Sequence, residues 1–134
     1  MTVRLIAHAK NDDTGRANAP FLDALRQGGA PNLTIVERQG VPRLSHNKVV
    51  VHTTVSAPRR VWSGSTNFTD QGFFRQTNVG VIVDDSALAG AYAAYLDLLA
   101  ADPPAARLRR AVRALVDAQP SDMLRRVFFA SPTR

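Results

Sequence analysis

The residues best suited to chemistry fall in two short runs, Ser45-His46-Asn47-Lys48-Val49-Val50-Val51-His52 and Trp62-Ser63-Gly64-Ser65-Thr66-Asn67-Phe68. The first reads as the opening of a strand, so His46 and Lys48, two apart, share a face. An ammonium there suits non-bridging phosphate oxygens. A neutral imidazole beside it can attack phosphorus, or transfer a proton near its ordinary pKa of about 6.5. Gly64-Ser65-Thr66-Asn67 offers backbone N–H groups, two hydroxyls and a carboxamide, all of which match phosphate oxygens. Taken singly, each run has a plainer reading, as a strand-edge histidine and an ordinary turn. Joined by a hairpin, they point to one oxyanion site.

Other candidates carry less. His8-Ala9-Lys10 repeats the His-x-Lys spacing, but no Gly-Ser-x-Asn follows at hairpin distance, so it reads as a strand end leading into a loop. His52 lies four residues after Lys48 on the same strand face and reads as a core histidine. With three His and no Cys, thiol nucleophiles, disulfides and Cys-ligated metals are excluded, and no His-based metal site is evident. Trp62, Phe68, Phe73 and Phe74 could wall an acyl or base pocket, although aromatic core is the default.

The elements that must position these residues are legible from periodicity. Val3 to Ala7 reads as a short strand and Asn11 to Gly15 as a polar turn. Pro20 reads as the first-turn proline of a helix that ends at Gly28-Gly29. Leu33 to Val36 is a second β-branched run, giving a βαβ unit and hence a parallel pair. Lys48 to Val55 and Arg59 to Ser63 form a hairpin, and Val79 to Val83 one more strand. Ser86 is a suitable N-cap for a helix whose apolar face is Leu88, Ala91, Tyr92, Tyr95, Leu96 and Leu99, with Asp84 and Asp85 as cap and dipole residues. A second helix spans about Ala105 to Ala118, with Arg107, Arg109, Arg110 and Arg113 mostly outward. Val127-Phe128-Phe129 begins a strand-like run that nothing continues, which suggests part of something longer.

At 134 residues, 45% hydrophobic and 21% charged, the composition is globular rather than disordered. No apolar run reaches the roughly 20 residues of a bilayer span, and the N-terminus does not read as a signal peptide. The expectation is a soluble chain, cytoplasmic by default. The net charge of +6 attracts phosphates, of nucleic acid or anionic lipid alike.

The spacing of His46 and Lys48, followed by Gly64, Ser65 and Asn67, resembles the phospholipase D superfamily. Its signature is His-x-Lys, four residues, Asp, then Gly-Ser-x-Asn. The surrounding phrase, SHNKVVVH…VWSGSTNFTDQGFF…NVGVIVDD, is similar to a bacterial group of two-repeat members, and the resemblance covers roughly residues 1–100. It implies an α/β fold: one half of a phospholipase-D-like sandwich, a mixed β-sheet flanked by helices. Residues 1–102 would be the half-domain with its single motif, and residues 103–134 a basic helical connector and the start of a following strand.

In the family one His forms a phosphohistidine and another, from a second copy of the motif, protonates the leaving group. Carried over, His46 is nucleophile or general acid, with Lys48 as its catalytic companion. Lys48, Ser65 and Asn67 bind the phosphate, and Gly64 and Thr66 support that loop. Thr53 stands where the signature has Asp, and the stretch Asn78-Val79-Gly80 lacks the acid that many relatives use to orient the His. The implied activity is phosphodiester hydrolysis or transphosphatidylation without metal or other cofactor, a phospholipid being the favoured substrate. A nuclease of the same superfamily, or a degenerate half that only binds phosphate, is the alternative. The implied partner is a second half, in the same longer chain or in a homodimer.

Overall fold

The β-branched runs become the strands of the computed structural model, which describes residues 2–40, 46–120 and 129. The chain divides into two units. The first contains β1 (Val3–His8), α1 (Asp13–Gln27) and β2 (Leu33–Arg38), together with residues 96–112. The second contains β3 (Val49–Thr53), β4 (Pro58–Gly64), α2 (Asp70–Phe74) and β5 (Gly80–Asp84), with residues 86–95 and Phe129. Helices α3 (Ser86–Ala100) and α4 (Ala105–Asp117) contribute residues to both. Parallel and antiparallel pairing both occur, as a mixed α/β half requires, in two hydrogen-bonded sheets, β1-β2 and β3-β4-β5.

In the first unit β1 and β2 run parallel from Val3↔Leu33 to His8↔Arg38, the pairing that a βαβ crossover imposes. Helix α1 starts seven residues before the expected Pro20. The Asp12 carboxylate caps it, accepting from Gly15 N at 2.9 Å, while Asn18 Nδ2 donates to His8 O at 2.9 Å. The Asn-Asp-Asp-Thr-Gly run is thus cap and first turn rather than a loop. Pro20 sits inside the helix, where it forgoes a backbone bond that the cap and tether help offset. His8 is buried, with Nε2 3.0 Å from Asp12 Oδ1.

The buried Arg38 at the end of β2 faces Asp102, the residue that terminates α3. Asp102 adopts a left-handed φ of 44°, and its Oδ2 accepts from Gln39 N at 2.6 Å and Gly40 N at 2.7 Å. Arg38 Nε lies 3.3 Å from Asp102 Oδ1, an ion contact without hydrogen-bond alignment. One carboxylate therefore neutralises a buried guanidinium and satisfies two backbone donors.

In the second unit the β3–β4 hairpin closes through Thr54 N to Ala57 O at 3.0 Å. The register slips between His52 and Thr53, so Thr53 faces Pro58. β5 then pairs antiparallel with β4, from Arg60↔Asp84 to Gly64↔Gly80. Val61, at 2% exposure, is the most deeply buried large side chain of this sheet. His52 is exposed, not a core histidine, because its face of the hairpin meets solvent, as the exposed Arg60 directly opposite it shows. Helix α3 is capped by Asp85, whose carboxylate accepts from Leu88 N at 3.0 Å, rather than by Ser86. The five-residue α2 has no counterpart in the periodicity reading. It exists because Thr69 accepts from Gly72 N at 3.0 Å. Along α4, Arg107, Arg110 and Arg113 are exposed and Val112 is buried, as the pattern requires. Val127 and Phe128 lie outside the described residues. Phe129 belongs to no strand, and its ring stacks on Tyr95.

Two outcomes follow for stability. Asp102→Ala should cost about 2–3 kcal/mol in urea unfolding, since it removes the carboxylate facing the buried Arg38 and two charge-assisted bonds from backbone N–H groups. Asp97→Ala, which removes the exposed Arg4–Asp97 pair, should cost under about 1 kcal/mol. The bond from Gly15 N, then the neighbouring His8, holds the Asp12 carboxyl below its ordinary 3.8. The cap's contribution is therefore complete above that value and lost as pH falls through the lower native pKa. Exchange of the Gly15 amide should accelerate in that acid window, and in Asp12→Ala should be fast at every pH.

Candidate active site

All the motif residues lie in the second unit, and the hairpin register is what assembles them. Strand β3 starts at Val49, so His46-Asn47-Lys48 precedes the strand instead of opening it. One further ladder bond, Gly64 N to Lys48 O at 3.3 Å, sets Lys48 directly against the first residue of the Gly-Ser-Thr-Asn loop. His46 and Lys48 differ in exposure: His46 is open to solvent, whereas Lys48 is only 7% exposed. Lys48 folds back so that Nζ donates to His46 O at 3.0 Å. That carbonyl is its one hydrogen-bond acceptor among the described residues. Burial lowers the Lys48 pKa from 10.5, because the charged form loses hydration that a single carbonyl does not replace.

The loop residues take separate roles. Ser65 is committed to the protein: its N donates to Val79 O at 2.8 Å, and its hydroxyl accepts from Val79 N and donates to Asn78 Oδ1, both at 3.0 Å. Asn67 is half-buried, its carbonyl accepts from Thr69 N at 2.9 Å, and its carboxamide has no hydrogen bond among the described residues. Gly72 fixes Asn67 from behind, since a Cβ at 72 would fall 2.1 Å from Asn67 O. No hydrogen bond joins His46 or Lys48 to the side chains of Ser65, Thr66 or Asn67 among the described residues.

Sequence reasoning missed Asn78. Its Nδ2 donates to Gly72 O at 2.7 Å while its Oδ1 takes the Ser65 hydroxyl, so it ties the loop to α2. The stretch Asn78-Val79-Gly80 stands out for lacking an acid, and the role of its first residue went unread. Gly80 has a steric reason: a Cβ there would lie 2.5 Å from Trp62 Nε1. The indole covers the cross-strand Gly64–Gly80 pair, and position 80 has no room for an acid.

The aromatic residues are not core. Phe68, Phe73 and Phe74 are 51%, 54% and 82% exposed. Trp62–Phe68 and Phe68–Phe73 pack edge to face with centroids 5.8 Å apart. A groove of about 440 Å³ runs between Val50, Trp62, Phe68 and Phe73, and Thr66 of the motif loop forms part of its wall. Among the described residues, no three His, Asp or Glu side chains gather as a metal site needs, and no helix is long and apolar enough to cross a membrane.

Searches of the curated proteins and of the solved structures give no significant match. A family model described as cardiolipin synthase, PLD-like domain, matches residues 1–99. That stretch contains the parallel pair, the hairpin and both motif segments, and over it the chain belongs to the phospholipase-D-like domain family, whose general chemistry is that of phosphodiesters.

Proposed function

We propose that this chain is one motif-bearing half of a phospholipase-D-type phosphodiesterase, acting through a phosphohistidine on a phosphodiester with an apolar substituent, a phospholipid first of all. The observation that carries the proposal is the buried ammonium of Lys48, whose charge is met by one carbonyl among the described residues. A buried cation with spare donors is costly unless an anion completes it. Asn67 adds a carboxamide uncommitted among the described residues, and His46 an exposed imidazole. Ser65 is best placed to brace the loop, and Gly64 and Thr66 to shape it. The open aromatic groove that Thr66 shares would take the apolar part of the substrate.

In the proposed reaction a ring nitrogen of one His attacks phosphorus while Lys48 and Asn67 hold the non-bridging oxygens. The bond to the leaving oxygen breaks, and that oxygen takes a proton from an acid on the opposite side. Water, or an alcohol in transphosphatidylation, then displaces the His. A single His46 cannot occupy both sides of one phosphorus in the same step. A second motif, in the same longer chain or in a second copy, must supply the other imidazole. Bis(p-nitrophenyl) phosphate should therefore be turned over only by a dimer or by the chain joined to a second half, and His46→Ala should abolish turnover. Turnover that co-elutes with monomer in gel filtration and survives His46→Ala would refute the composite mechanism.

A nuclease reading draws on the exposed Arg107, Arg110 and Arg113 of α4. Cleavage of DNA or RNA with steep salt dependence and no action on short-chain phosphatidylcholine would favour it over the lipid reading.

Lys48→Met separates binding from folding. Because the native pKa of Lys48 is depressed, the unfolded chain holds more protons between the two pKa values, and wild-type stability rises as pH climbs through the native value towards 10.5. The variant should lose that rise, melt no lower than wild type at neutral pH, and bind vanadate at least about tenfold more weakly. Unchanged vanadate affinity would remove Lys48 from the site.

A further inference from the structure

The His-x-Lys segment carries the exposed imidazole and the buried ammonium, yet it lies outside the strand that follows. Its ladder ends at Gly64 N to Lys48 O, and β3 begins at Val49. Residues 46 and 47 must therefore be held by something other than sheet pairing. The side chain between the two motif residues supplies it: Asn47 Nδ2 donates to Tyr95 Oη at 3.2 Å. Tyr95 is 6% exposed on α3, and its ring is fixed in turn. Phe129 stacks on it with centroids 4.1 Å apart and planes within 8°, and meets Tyr92 edge to face at 5.1 Å. All four residues belong to the unit that holds the motif.

We propose that Tyr95 is a positioning residue for the oxyanion site: its hydroxyl, acting through Asn47, fixes the backbone from which His46 and Lys48 project. The inference rests on the phosphate-site reading above for its purpose, but its geometry does not depend on that reading. In extended chain, Asn47 points opposite to its neighbours, so anchoring it restrains both without occupying the site. The anchor also protects the Lys48 Nζ–His46 O contact, because that bond closes only when the backbone of residues 46–48 keeps its present conformation. The aromatic stack fixes the ring that carries the hydroxyl, leaving the Tyr95 side chain little freedom to follow a wandering Asn47.

The test uses Tyr95→Phe, which keeps the ring and the stack but removes the hydroxyl, the exposed and structurally safe Asn47→Ala, and the double variant. Three readouts are taken on the whole chain: amide hydrogen exchange, thermal midpoint and vanadate titration. Each single variant should speed exchange at Asn47 and Lys48 while Val51 and Val61 of the hairpin stay as in wild type, with the midpoint nearly unchanged. Vanadate affinity should fall about three- to tenfold, the scale of one hydrogen bond between neutral groups. The double variant should be no worse than Tyr95→Phe alone, because Asn47→Ala then breaks a bond already lost. Wild-type exchange at Asn47 and Lys48 in either single variant, or fully additive losses, would overturn the proposal. Should wild type bind no vanadate, the phosphate reading fails, and the exchange pattern alone still decides whether Tyr95 positions the segment.

Discussion

The desolvated ammonium of Lys48 is the constraint around which the motif-bearing unit is arranged. It is buried because the hairpin register places its backbone against Gly64, the residue that opens the Gly-Ser-Thr-Asn loop. An ammonium in such a place destabilises the fold unless a counter-charge arrives, and the described residues offer one carbonyl in return. On the proposed reading, the same feature that costs stability would create affinity for an anion. Several neighbouring details serve to keep this arrangement in register. Gly64 and Gly80 yield their side-chain space to Trp62, Gly72 lets the chain pass close behind Asn67, and Asn78 ties the loop to α2 through Ser65 and Gly72.

The division of labour inside the motif follows from hydrogen-bond accounting. Ser65 spends its hydroxyl as both donor and acceptor on Val79 and Asn78, so it gives the loop its shape. Asn67 and His46 keep their side chains uncommitted among the described residues, which is what ligand-facing groups require. The half-exposed rings of Phe68 and Phe73 wall a groove that also has Thr66, Gln76 and Asn78 in its lining. Under the proposed function, that groove would take the apolar substituent of the substrate.

Much of this was legible in the sequence, for identifiable reasons. Strands and their pairing follow from β-branched runs punctuated by Gly, Pro and Asx turns, which is why the parallel β1–β2 pair and the β3–β4 hairpin agree with the expectation. Element starts were less legible because capping is a side-chain decision. Asp12 begins α1 well before Pro20, and Asp85 displaces Ser86 as the cap of α3, each by taking one backbone N–H. Helix α2 escaped notice because five residues carry no period. The exposed aromatics and the Asn47–Tyr95 bond are long-range facts, and spacing along one chain does not encode them.

The central claim is that His46, Lys48 and Asn67 converge on one oxyanion. Crystals of the chain soaked in tungstate, a heavy phosphate mimic, test it without requiring turnover. The account requires tungsten bonded to a ring nitrogen of His46, with Lys48 Nζ and Asn67 Nδ2 within hydrogen-bond distance of its oxygens and Lys48 turned from its carbonyl toward the ion. Tungstate bound only elsewhere, with Lys48 still closed on His46 O, would contradict it.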